Sequence, residues 1–202
     1  FTKEIIDAID ENPVLCNHVH LPVQAGSDRV LSAMQRLYTR DEYMRRIEWM
    51  KNARRGIAIT TDIIVGFCGE TQSDFEQTLR LIEEVEYDSL FSFKYSPRPN
   101  TPALALSGHI AEEEKGRRLT VLQELQRSIQ IRRNGEMVGG VQEVMAEYFN
   151  QATGQWVGRT AQNKTLNFTS ARGLAPGMYL DVRVTRSGPN SLAGEALMES
   201  VN

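Results

Sequence analysis

The period of the apolar positions changes twice along the chain. Over residues 2–12, Ile5, Ile6 and Ile9 share a helical face and Pro13 closes the segment. Residues 19–23 read as a short strand running into the loop Gln24-Ala25-Gly26-Ser27. Ser27 is placed to N-cap a helix carrying Val30, Leu31 and Met34. A longer helix follows Thr39, with Asp41 and Glu42 in its first turn, where negative charge suits the helix dipole, and Met44, Ile47 and Met50 inside. Residues 57–67 are β-branched and nearly continuous, the pattern of a strand buried on both faces, and they break at Gly66 and Gly69. A helix then begins at 71–74, with Phe75, Leu79, Ile82 and Val85 on one side. Residues 89–95 read as a second buried strand ending in a proline-rich loop, 96–102. Strands alternating with helices imply a parallel sheet with right-handed crossovers. A long charged amphipathic helix, 111–133, carries the stripe Leu119, Leu122, Leu125 and Ile129.

After Asn134-Gly135 the helical period gives way to short alternating segments at 141–148, 155–160, 164–168, 178–184 and 192–197, separated by turn residues. Five short strands in so few residues predict a small antiparallel barrel. The chain is thus expected to be α/β over residues 1–134, followed by a small β-barrel domain over 135–202.

Composition adds limits. The 202 residues carry a net charge of -3, so any nucleic-acid contact must come from local basic patches. No apolar run is long enough for a membrane helix, and a cytoplasmic location is expected. The chain opens on Phe1-Thr2-Lys3-Glu4, directly in an amphipathic helix, and is expected to be a piece of a longer protein. Its two cysteines, Cys16 and Cys68, lack the local spacing of a zinc or iron–sulfur site and read as small buried residues. His18 and His20 share a face of a regular strand, and a structural hydrogen-bonding role fits them better than metal binding.

In parallel α/β folds ligands bind beyond the carboxyl ends of the strands. Three loops occupy that position: 24–27, 66–71 and 96–101. Each alone reads better as a plain βα turn. Three in succession, two of them carrying glycine beside polar residues, point to a pocket.

These residues also resemble a family. The segment from His20 to Ser27 is similar to the HLPLQSGS segment of the radical S-adenosylmethionine methylthiotransferases, and Met34 to Thr39 to their MxRxYT segment. Thr60 to Phe67 with Gly69-Glu70-Thr71 resembles their TTDIIVGFPGET signature, and Phe93 to Ala103 their FxYSPRPGTPA loop. Order and spacing agree along almost the whole chain, which is far more specific than one short motif. Arg98-Pro99 is similar to the tRNA-modifying members, where members acting on a ribosomal protein carry acidic residues. The segments 115–119 and 127–134 resemble the enzyme acting on isopentenyl-adenosine beside the anticodon.

The resemblance implies the C-terminal half of a partial TIM-like β/α radical S-adenosylmethionine barrel. It implies S-adenosylmethionine and two 4Fe-4S clusters as cofactors, the ligands of both clusters lying outside this chain. A reduced cluster would cleave S-adenosylmethionine to a radical that takes hydrogen from C2 of the target adenosine, where a methylthio group is then placed. tRNA and a reductant protein such as flavodoxin or ferredoxin are the implied partners. Gln24 and Ser27 are expected as polar contacts to S-adenosylmethionine, Asp62 as a polar anchor, and Gly66 and Phe67 as walls beside the adenine, with Glu70 closing the cofactor side. Arg36 fits a carboxylate or phosphate contact as well as a plain surface charge. Lys94, Tyr95, Ser96 and Arg98 are expected to face the substrate nucleotide. Cys68 stands where the family has proline, leaving the torsion there unfixed.

The terminal barrel resembles the TRAM domain, an OB-like RNA-binding module. Arg159, Lys164, Arg183 and Arg186 can meet phosphates, and Trp156 or Phe168 can stack on a base or plug the core, the latter being the better reading of Phe168. Three alternatives remain: an enzyme acting on threonylcarbamoyl-adenosine, one acting on a ribosomal protein, and an RNA-binding module without catalysis. By itself a half barrel leaves apolar faces and a sheet edge open, so the chain is expected to self-associate.

Overall fold

The computed structural model describes residues 1–197. They divide into two compact units: residues 1–12 with 19–129, and residues 13–18 with those from Gln130 onward.

In the first unit, helix α1 (Lys3–Glu11) buries Ile6 and Ile9. Strands β1 (His18–His20), β2 (Ala58–Val65) and β3 (Ser89–Lys94) form one sheet with β2 central. The β2–β3 pairing is parallel, with Asp62 opposite Phe91 and Ile64 opposite Phe93. β1 ends earlier than the apolar run suggests, with Leu21 N still donating to Thr60 O (2.9 Å). The Thr61 hydroxyl closes the gap: it donates to Leu21 O (2.8 Å) and accepts from Val23 N (2.9 Å). Pairing then resumes at a parallel bridge between Gln24 and Ile63.

Helices α2 (Asp28–Ala33), α3 (Arg40–Lys51), α4 (Gln72–Val85) and α5 (Glu112–Gly135) follow the predicted order, with a short 3₁₀ turn at Pro102–Ala105. Capping boxes start α3 (Thr39 with Glu42) and α4 (Thr71 with Asp74), each satisfying two otherwise unpaired backbone N–H groups. Ser27 stands at the N-cap of α2, but its hydroxyl donates to Asp74 across to α4 and makes no cap bond. The core lies between the helices and one face of the sheet: Ile59, Ile63 and Val65 of β2 pack with Tyr43, Ile47, Phe75, Leu81, Ile82 and Leu122. A second cluster, Ala25, Leu31, Phe67 and Tyr95, sits under the strand-end loops.

Two expectations about burial fail. β3 is not buried on both faces: Leu90 packs on the core, while Phe91 and Phe93 on the other face are 58% and 52% exposed. A continuous apolar run cannot say whether its second face is covered. Cys16 is exposed, and only Cys68 is buried.

In the second unit, β4 (Val141–Asn150), β5 (Gln155–Thr160), β6 (Thr165–Thr169), β7 (Tyr179–Ser187) and β8 (Leu192–Ala196) close a barrel in the order β4-β5-β6-β8-β7. The seams are antiparallel except β6–β8, which is parallel, so the barrel is mixed rather than wholly antiparallel. Alternation of inward and outward side chains is blind to strand direction, which is why sequence pattern did not distinguish the two. Val144, Ala146, Leu166, Phe168, Val182, Val184 and Leu192 fill it. Asn17 N donates to Ala161 O, joining the segment 13–18 to this unit. No helix among the described residues is long and apolar enough to cross a membrane.

Candidate functional site

Two of the three strand-end loops of the first unit, 66–71 and 96–101, reach one cavity of about 280 Å3, whose remaining side is the end of α2 and the residues after it; loop 24–27 supplies none of its lining. Its walls are largely apolar: Met34 from the end of α2, Ile64 and Phe67 from the end of β2, Tyr95 after β3, and Ala103 and Leu106 from the 3₁₀ segment. Gln35 and Arg36 bring polar groups to the rim. Phe67 and Tyr95 meet edge to face, with ring centroids 4.8 Å apart and planes at 68°, which fixes both walls. Such a lining, mostly apolar with a few polar groups, is the usual character of a small-molecule site.

Buried ionic contacts hold the walls. Glu70 Oε2 accepts from Gly66 N (2.7 Å) and from the Arg118 guanidinium (2.6 Å), and Arg118 also donates to Glu70 O (3.1 Å) and Glu114. Burial pushes the Glu70 carboxyl above its ordinary range, and Arg118 and the Gly66 N–H only partly offset that. Lys115, also buried, donates to Tyr95 O (3.1 Å) and Glu112 (2.8 Å), and its stem lies against Gly66. Gly66 has φ +75, and a Cβ there would stand 2.4 Å from Lys115 Cγ, so the turn that carries Phe67 needs glycine twice over. The first turns of α5 thus clamp the ends of β2 and β3.

The third loop is tied to α4. Gly26 lies so close to that helix that a Cβ would meet Gln77 O and Thr78 Cα at 2.6 Å. Asp74 accepts from Ser27 Oγ (2.6 Å), from Thr71 N (2.8 Å) and Oγ1 (2.5 Å), and from Arg29. Burial alone would raise its pKa, but these donors outweigh it and hold the carboxyl far below the usual range. Asp74→Asn is therefore expected to destabilise the chain by about 2 kcal/mol at neutral pH, the worth of hydrogen bonds to a charged group. The folded-state pKa is depressed, so this contribution is present above the unfolded carboxyl's pKa and fades as pH falls through the native one. Urea unfolding of both proteins should show the gap narrowing below pH 4, approximately where an unfolded aspartate begins to protonate. A gap independent of pH would refute the assignment.

The predicted site residues scatter in role. Phe67, Tyr95 and Arg36 line the cavity. Glu70, Gly66 and Ser27 stand behind it as supports. The Gln24 backbone has φ 72 and bonds to β2 through Asp62 O and Ile64 N. Asp62 lies on the sheet face that carries Phe91, 3.5 Å from His20 Nε2, while His20 Nδ1 is 3.0 Å from Thr60 Oγ1. That is the structural role expected of His20. Lys94 pairs with Glu112 at 3.0 Å, and Ser96 and Arg98 are exposed. Lys115, Arg118 and Asp74 were not singled out from sequence, although a signal existed. Lys115 and Arg118 continue, at helical spacing, the stripe of α5 that runs through Leu122, Gln126 and Ile129, all buried.

On the barrel, Phe168 is a core plug and Trp156 is partly buried, edge-on to Phe149. Three of the four basic residues already have partners: Arg159 with Glu147 (3.6 Å) and Asn163 O, Lys164 with Asn134 (3.0 Å), and Arg183 with Gly139 O (3.2 Å). Tyr148, Phe149 and Tyr179 are exposed aromatics that the strand pattern did not flag.

Residues 1–82 match the Radical SAM superfamily and residues 135–197 match the TRAM domain. The chain is 64% identical over 200 residues to a tRNA-2-methylthio-N(6)-dimethylallyladenosine synthase of Solibacter usitatus, covering 97% of this chain and 45% of the relative. Proteins of the same name from Koribacter versatilis and Geobacter metallireducens are 54% and 49% identical, each alignment covering 96% of this chain and 45% and 44% of the relative. The chain spans less than half the length of these curated relatives.

Proposed function

We propose that this chain, which carries radical SAM sequence followed by a TRAM domain, is the C-terminal part of a tRNA methylthiotransferase that acts at C2 of N6-isopentenyladenosine beside the anticodon. In this reading residues 1–134 belong to the radical S-adenosylmethionine domain and residues 135–202 form the TRAM domain. The observation that carries it is the cavity at the strand ends, walled by Phe67 and Tyr95 and backed by the Glu70–Arg118 pair.

An apolar slot with polar groups at its rim suits the adenine of S-adenosylmethionine. Ile64, Phe67 and Tyr95 would wall the ring. Asp62, on the open sheet face, would accept from a ribose hydroxyl, and Arg36 would meet a carboxylate or phosphate. Gln24, Ser27, Gly66 and Glu70 would hold that geometry from behind. Lys94, Ser96 and Arg98 would face the nucleotide. Bound S-adenosylmethionine, with a reduced 4Fe-4S cluster, supplies hydrogen abstraction. In this reading the ligands of the clusters lie in other parts of the whole protein. A flavodoxin or ferredoxin would supply the electron. Arg159, Lys164, Arg183 and Arg186 give the barrel its phosphate contacts. The exposed Phe91 and Phe93 would make the isolated chain self-associate.

The test uses the full-length protein, reconstituted anaerobically with iron and sulfide and given S-adenosylmethionine, reductant and tRNA bearing isopentenyl-adenosine. Mass spectrometry should find the methylthio nucleoside. 5′-Deoxyadenosine without it would move the substrate to threonylcarbamoyl-adenosine tRNA. Neither product, from a cluster-loaded protein, would reject the reading.

A further inference from the structure

The outer face of the barrel carries a trough that phosphate contacts alone do not explain. Strand pairing sets Asn167 beside Ala193, and Ala193 beside Arg186. Paired residues of neighbouring strands share a face, so these three form one row across β6, β8 and β7. The row points outward, because Leu166 and Phe168, the neighbours of Asn167 in β6, are fully buried in the core. Its middle member is only a methyl group. Between the Asn167 amide and the Arg186 guanidinium the surface therefore sinks into a trough of about 310 Å3, completed by Gln155, Ser187, Ser191 and Leu192.

The chemistry of this trough is selective. None of its lining residues carries a carboxylate, which favours an anionic or neutral polar ligand over a cation. Arg186 has no hydrogen bond or ion pair from its side chain among the described residues, unlike Arg159, Lys164 and Arg183. Glu195, the next outward position along β8, stands opposite Arg183, not Arg186. Asn167 donates one amide N–H to Leu192 O (3.3 Å), which orients the group and leaves its carbonyl and second N–H for a ligand. Gln155 offers a second amide. A guanidinium matches a phosphate, amides match the hydrogen-bonding edge of a base, and the Ala193 methyl gives a small apolar floor for its ring.

We infer that this trough binds one unpaired nucleotide of an RNA, with Arg186 on its phosphate and Asn167 and Gln155 on its base edge. The base must be unpaired, because in a duplex its Watson–Crick edge is already used. The inference rests on the tRNA reading above and goes further, since it assigns base recognition to a barrel that phosphate contacts alone would leave indifferent to sequence.

The test is tRNA binding by the full-length enzyme over a range of salt concentrations, with Arg186→Ala and Ala193→Leu. Arg186→Ala should raise Kd about tenfold and lower the slope of log Kd against log salt by about 1. Ala193→Leu fills the trough without changing charge, and should raise Kd about tenfold with the slope unchanged, the effect of one lost base contact. Should Ala193→Leu fail to fold, Asn167→Ala makes the same test. If Arg186→Ala weakens binding and the trough variants do not, Arg186 is a surface cation and the inference falls. It falls too if no variant changes Kd while the parent binds tRNA and makes the methylthio nucleoside, an outcome that spares the proposed function. A parent that does neither overturns both.

Discussion

Arg118→Met is expected to destabilise the first unit by about 3–5 kcal/mol at neutral pH, the usual cost of removing one partner of a buried ion pair. Both side chains are shut off from water, with Glu70 at 0% and Arg118 at 6% exposure. Glu70 Oε1 is buried with no hydrogen-bond partner, so the carboxylate depends on Arg118 and the Gly66 N–H for compensation. Taking away the guanidinium leaves a buried charge, whereas Glu70→Gln in the same background removes it and should recover most of the loss. The pH dependence has a definite sign. The native pKa of Glu70 lies above its ordinary value of 4.5, so protonation favours the folded state. Without Arg118 that shift grows, and the deficit should be smallest at or below the unfolded pKa and widen as pH rises through the native one. Denaturant unfolding, with Trp156→Phe so that Trp49 alone reports on the first unit, would measure it. A loss under about 1 kcal/mol, equal with and without Glu70→Gln, would mean that the pair behaves like an exposed salt bridge.

Most of the element order was legible because it rests on periodicity and caps. The runs of β2 and α4, the Thr71–Asp74 box and the five barrel strands all follow from local spacing. What stayed hidden depends on contacts distant in sequence. Glu70 reads as a loop acid until Arg118, 48 residues later, is seen against it. Ser27 reads as an N-cap until Asp74 takes its hydroxyl. The exposed face of β3 and the parallel β6–β8 seam are likewise matters of tertiary arrangement. Two of the three loops read from the sequence do reach the cavity, but the division between walls and supports, which puts loop 24–27 among the latter, was not legible. Glycine and polar residues mark a strand-end loop equally well in either role.

That division can be tested at Ala103, whose small side chain lines the cavity from the exposed 3₁₀ segment, partly open to solvent at the edge of the Phe67 and Tyr95 cluster. Ala103→Trp should fill the slot beside Tyr95 and Phe67 while leaving the fold and tRNA affinity close to the parent's. In the reconstituted full-length enzyme it should lower methylthio-nucleoside formation by about 100-fold or more, the penalty for misplacing a reacting group by roughly an ångström. The companion product then identifies the occupant. If 5′-deoxyadenosine falls in parallel, the cavity holds S-adenosylmethionine, as proposed. If 5′-deoxyadenosine continues without methylthio product, the cavity receives the substrate nucleotide, and the adenine must lie elsewhere on the open sheet face near Asp62. If both products persist at the parent's rate, the cavity is not the reaction site. Phe67 and Tyr95 would then be a packing pair beneath the loops, and the Glu70–Arg118 clamp would serve stability alone.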